Sequence, residues 1–131
     1  MQYSEPILRQ RLIIEGEYEG ACPRQDQAIE YIEELSNRLG MTIVRGPFVG
    51  DWANQGIPKF GDGWEAYAIW AESGIHIYAW DVETQGPLMT FEIYTCKKFN
   101  LEETVEFTKE FFGLVTIAYT EVVPPLQVTA M

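Results

Sequence analysis

The residues able to do chemistry concentrate in about a quarter of the chain, between Glu65 and Cys96. Cys96 offers a thiol, which can move a proton or act as a nucleophile when its surroundings tune it. His76 is the only imidazole in the sequence, and an imidazole titrates closest to neutrality. Glu65 and Glu92 are carboxylates suited to an amine, and Tyr78 and Trp80 present ring faces that attract cations. Each has a plainer reading beside this one. Ser73-Gly74 makes an ordinary turn or bulge, Cys96 a small buried hydrophobe, and His76 a satisfied strand histidine. Tyr78 and Trp80 then pack at an interface, and Glu65 and Glu92 are solvated strand charges.

The elements that must position these residues follow from the pattern of apolar side chains. Leu8 to Tyr18 reads as a strand, and a turn region follows at Gly20 to Pro23. A helix comes next, because Ala28, Ile32, Leu35 and Leu39 share one face and Gly40 ends it. Met41 to Val49 is a strand interrupted at Gly46-Pro47, and Gly50 to Gly63 a long loop of the kind that often carries function. Three strands follow at Trp64–Ala71, Gly74–Trp80 and Leu88–Cys96, the first two meeting at Glu72-Ser73-Gly74. Asn100, with Glu103 three residues on, opens a second helix whose buried stripe is Leu101, Val105 and Phe112 and which Gly113 ends. Leu114 to Val123 is a last strand, stopped by Pro124-Pro125.

The order β-α-β-β-β-β-α-β predicts an α/β (α+β) two-layer sandwich, a mostly antiparallel sheet with both helices on one face. Two helices cannot cover both faces. Ile75, Ile77 and Ala79, with Met89, Phe91 and Ile93, point at the helices, whereas His76, Tyr78, Trp80, Glu92, Tyr94 and Cys96 point away. That second face is too aromatic to stay wet, so a homodimer through it is expected.

Totals set the outer bounds. The 131 residues fit one domain spanning 1–131, and 47% hydrophobic residues supply a core. Two cysteines make no disulfide framework and no zinc motif, so no metal is expected and a reducing compartment fits. Without a membrane-length apolar run or a signal-peptide pattern, a cytoplasmic protein that binds no membrane is expected. The net charge of −11 repels nucleic acid and weakly favours cationic ligands.

From Trp70 to Cys96 the chain resembles the bacterial S-adenosylmethionine decarboxylases, small pyruvoyl enzymes of polyamine synthesis. Ala71-Glu72-Ser73, then Ile75-x-Ile77-x-x-Trp80, then Phe91-Glu92-Ile93-Tyr94-Thr95-Cys96 carry the resemblance. The family pattern is roughly Ser-Glu-Ser-His, Ile-His-Thr-Trp and Asp-Ile-Phe-Thr-Cys, in that order and spacing. The resemblance implies self-cleavage between Glu72 and Ser73, with Ser73 becoming a pyruvoyl cofactor that serves as electron sink. It implies that Cys96 protonates the carbanion, and that S-adenosylmethionine or a related amine is bound by the aromatic, acidic face. Tyr78, Gly74 and Glu65 stand where the family has two histidines and a serine. The base for self-cleavage must then come from His76 or a carboxylate such as Glu65. Two alternatives stay open: a pyruvoyl-dependent decarboxylase of another amino acid, and an uncleaved, noncatalytic homologue binding a nucleoside, an amine or a partner subunit.

Overall fold

Alternation of apolar and polar residues drives six strands into one antiparallel sheet, against which two amphipathic helices lie. The computed structural model describes residues 5–6, 8–126 and 128–130. The strands of the large sheet are β2 (Gln10–Glu17), β3 (Ile43–Asp51), β4 (Trp64–Trp70), β5 (Ser73–Ala79), β6 (Leu88–Thr95) and β7 (Thr116–Glu121), in spatial order β3-β4-β5-β6-β2-β7. The helices are α1 (Gln25–Leu39) and α2 (Leu101–Phe112). Two short strands, β1 (Glu5–Pro6) and β8 (Thr129–Ala130), pair separately. Apart from that small pair, element order and layering are as the sequence predicts.

Both helices end as expected, on Gly40 and Gly113 in the left-handed region, where a side chain would be strained. Asn100 Oδ1 accepts the Glu103 amide hydrogen at 2.9 Å. The buried stripe of α2 differs from the expected one: Thr104, Val105, Thr108 and Phe112 are buried, while Leu101 is half-exposed. Thr104 and Thr108 are tolerated there because each hydroxyl bonds the carbonyl four residues back, Asn100 at 2.9 Å and Thr104 at 2.8 Å. Thr108 also meets the fully buried Tyr31 hydroxyl at 2.6 Å. Burial holds the Tyr31 phenol far above its usual titration range, so it stays a neutral packing group.

The core lies between sheet and helices. Leu12, Ile14, Ala66, Ala68, Ile77, Ala79, Met89, Phe91 and Ile93 from the sheet meet Ala28, Tyr31, Ile32 and Leu35 of α1. Trp70, the last residue of β4, is buried among them and donates its indole N–H to Ser36 Oγ of α1 at 2.8 Å. Ser36 in turn donates to the Ile32 carbonyl. An unpartnered buried donor costs about 1–3 kcal/mol, so this bond fixes where β4 ends.

The loop between β3 and β4 is folded, with a 3-10 turn at Pro58–Phe60. Asp81, nearly buried, holds it from the far side by accepting the amide hydrogen of Asp62 at 2.7 Å, while its other carboxylate oxygen accepts that of Glu83 in its own turn at 3.0 Å. Among the described residues no helix is long and apolar enough to cross a membrane.

Candidate active site

Strand β4 turns into β5 through Ala71 and Glu72 alone, since Trp70 and Ser73 are already register partners. The turn has two linking residues, as the sequence pattern indicates, but lies one residue earlier, so that Ser73 is already in β5. It closes because Glu72 takes φ 63°, the only non-glycine positive φ among the described residues. An L-residue in that region costs roughly 1–2 kcal/mol, so the peptide between Glu72 and Ser73 leaves a strained residue.

The end of β6 comes to this turn. The Cys96 backbone N–H donates to Ser73 Oγ at 3.1 Å, and the Cys96 thiol lies 3.0 Å from the Glu72 carbonyl oxygen. One hydroxyl, one strained carbonyl and one thiol thus share a few ångströms. A hydroxyl on the carbonyl's own chain neighbour can add to that carbonyl, and a thiol donating to the oxygen draws electrons from the carbon.

A second group forms along the uncovered sheet face. His76 and Glu65 approach to 3.8 Å between Nε2 and Oε2, within ion-pairing range but too far for a hydrogen bond. His76 Nε2 is buried without a hydrogen-bond partner among the described residues. Its ring stacks on Tyr78 at 4.6 Å between centroids, and Tyr67 lies beyond it at 5.8 Å. Burial, then the charges of Glu65 and Glu92, raise the Tyr78 phenol above its ordinary range, which leaves it protonated at neutral pH and no base. Trp80 continues the aromatic line, 5.6 Å from Tyr78 and 6.4 Å from Trp52 of the loop.

Between these groups the sheet face is hollowed. A concavity of about 480 Å³ is walled by Arg11, Tyr67, His76, Glu92 and Tyr94, with Gly74 at its floor. Of the residues singled out by the sequence, Gly74, His76, Glu92 and Tyr94 line it, whereas Glu65, Glu72, Ser73, Tyr78, Trp80 and Cys96 do not. Arg11 and Tyr67 are wall residues that the sequence did not single out, whereas Tyr94 was placed on this face by its alternation with Glu92 and Cys96, though not as a site residue. Arg11 arrives through the β2–β6 register, opposite Tyr94, and nothing local announces it.

Cys22, the other thiol, is half-buried near Asp62, whose carbonyl it meets at 3.6 Å. Burial, with nearby Asp81 and Asp62, pushes it up to about 11, so it is inert at neutral pH. Both cysteines are free. No group of three or more metal-ligating side chains occurs among the described residues.

The adenosylmethionine decarboxylase of Aquifex aeolicus VF5 has the same fold. Its crystal structure superposes with a TM-score of 0.68, covering 93% of this chain and 98% of that one, at 13% sequence identity. At that identity the likeness establishes the fold. No family model matches the chain, and no curated protein matches it.

Glycine at position 72 would relieve the left-handed strain. Glu72→Gly is expected to hold or raise stability by up to about 1 kcal/mol, because the relieved strain exceeds the added unfolded-state entropy. Urea unfolding reads this, and a clear loss would show that Glu72 is not strained.

Proposed function

We propose that the chain is a pyruvoyl-dependent decarboxylase of the S-adenosylmethionine decarboxylase type, cut by its own Ser73 at the Glu72-Ser73 bond and acting in polyamine (spermidine) synthesis. The observation that carries the reading is the triple meeting of Ser73 Oγ, the Glu72 carbonyl and Cys96 at a strained turn. The shared fold supports it. A pyruvoyl group formed from Ser73 would supply an electron sink for loss of carbon dioxide from an amino-acid substrate. Cys96 is placed beside it to hold and deliver a proton. His76, the single imidazole of the sequence, lines the concavity with Glu65 3.8 Å from it and serves as the base in place of the family histidine that Tyr78 replaces. The acidic charge and the fold fit a cytoplasmic enzyme.

Glu92, with the rings of Tyr78 and Trp80 on the same face, suits a cationic amine or sulfonium. Phe48, Tyr67 and Ile69 leave much of the face apolar and exposed, which favours a second copy covering it. A second reading has its own observation: the concavity is walled by Arg11, His76, Glu92 and Tyr94 and not by Ser73 or Cys96. On that reading the chain stays whole and binds a nucleoside or amine there without reacting.

Intact mass separates the two. Cleavage is expected to give residues 1–72 and 73–131, the second carrying a pyruvoyl end, slowly in the wild type, abolished in Ser73→Ala and at least tenfold slower in His76→Ala. A wild type still whole after long incubation removes the pyruvoyl mechanism; full cleavage of His76→Ala removes that base.

For the ligand, calorimetry of S-adenosylmethionine with the uncleaved Ser73→Ala chain is expected to show binding that Glu92→Ala weakens about fivefold, the worth of a partly solvated ion pair. Equal affinity in both would take Glu92 out of the site. Sedimentation at micromolar protein is expected to show a dimer, and a strict monomer would leave the apolar face without its second copy.

A further inference from the structure

Tyr94 stands at the junction of the two groups of residues. Its side chain walls the concavity, and its hydroxyl lies 3.8 Å from Cys96 Sγ. Cys96 Sγ is also 3.0 Å from the Glu72 carbonyl oxygen. A thiol carries one proton and a carbonyl can only accept, so the thiol proton belongs to the Glu72 oxygen. The contact with Tyr94 must then be supplied by the phenol, which donates to sulfur. Hydrogen bonds run in one direction, from Tyr94 through Cys96 to the strained carbonyl.

The phenol is well held for this. The Arg11 guanidinium sits 4.7 Å above the ring, from the residue directly opposite in register. On the other side the register partner is Gly74, which has no side chain to crowd the ring. The bond to Cys96, followed by desolvation, keeps the Tyr94 hydroxyl above its ordinary titration range despite Arg11 and Arg9, so it retains its proton. The ionisable groups facing this junction are Arg11 and Arg9 from the β2 side, Glu92 and Cys96 along its own strand, and His76 from β5.

We propose that Tyr94 is the positioning residue of Cys96: its hydroxyl donates to Sγ and thereby aims the thiol proton at the Glu72 carbonyl. The consequence for cleavage rests on the self-processing reading, whereas the bond itself does not. In that step Ser73 Oγ forms an ester bond to the Glu72 carbonyl carbon and the C–N bond breaks. The hydroxyl proton ends on the freed amino nitrogen. The negative charge that gathers on the carbonyl oxygen meanwhile is met by the Cys96 S–H, held in line by Tyr94.

The test uses the full chain in a Cys22→Ser background, with iodoacetamide as thiol probe. In the uncleaved Ser73→Ala chain, Tyr94→Phe is expected to move the pH profile of Cys96 alkylation upward by about one unit, since the thiolate loses a donor. In the chain that keeps Ser73, Tyr94→Phe is expected to slow cleavage about tenfold, by intact mass. A purely structural role for the ring leaves the alkylation profile in place. An unmoved profile overturns the proposal, as does an unmoved cleavage rate in a chain whose parent cleaves. A parent that never cleaves removes the self-processing reading alone, and the alkylation profile then still decides the place of Tyr94.

Discussion

One hydrogen bond in the core, from the Trp70 indole to Ser36, governs the geometry of the site. The indole is buried at the end of β4 and must find an acceptor, and α1 provides it at a single place. With Trp70 pinned, the chain has only Ala71 and Glu72 in which to reverse before Ser73 enters β5. So short a reversal forces Glu72 into the left-handed region and turns its carbonyl toward the end of β6, where Cys96 waits. A helix–sheet contact in the core thereby determines a backbone conformation at the surface. Strain there is sustained because the sheet on both sides of the turn over-determines it.

The two faces of the sheet divide the labour. The helix side is closed, with large side chains interlocked around Tyr31 and Phe91, and supplies the cohesion. The other side is left uncovered by the count of helices alone, and there the sequence places its histidine, its ring stack and the carboxylates Glu65 and Glu92. Because side chains alternate strictly, Ile75 and Ile77 could not be buried without presenting His76 and Tyr78 outward. Core and site are two readings of the same strand.

This alternation is why most of the fold was legible in the sequence. Ile75, Ile77, Phe91 and Ile93 announced the buried face, and Gly40 and Gly113 the helix ends. The turn between β4 and β5 was legible but its left-handed backbone at Glu72 was not, since nothing about a glutamate favours a positive φ; the demand comes from Trp70 and its distant acceptor. Strands β1 and β8 escaped notice because two residues carry no period. Thr104 and Thr108 escaped because a threonine becomes a core residue only when its own helix takes up the hydroxyl. Within the site, Ser73, Cys96 and His76 stood out by type, whereas Arg11 enters only through pairing with a strand far along the chain.

The order of strands in the sheet gives the turn an unexpected status. Strands β2, β3 and β4 precede Glu72-Ser73 and β5, β6 and β7 follow it, yet across the sheet they run β3-β4-β5-β6-β2-β7. The two halves of the chain are therefore interleaved: β2, from the first, is hydrogen-bonded on both edges to strands of the second. A break at the turn severs connectivity without creating separable parts, because pulling the halves apart means opening three seams of the large sheet, β4–β5, β6–β2 and β2–β7, and the β1–β8 pair as well. Refolding after such a break, by contrast, would require two chains to find each other, so the order of events matters: a covalent loop is needed to assemble this sheet and is dispensable once it exists.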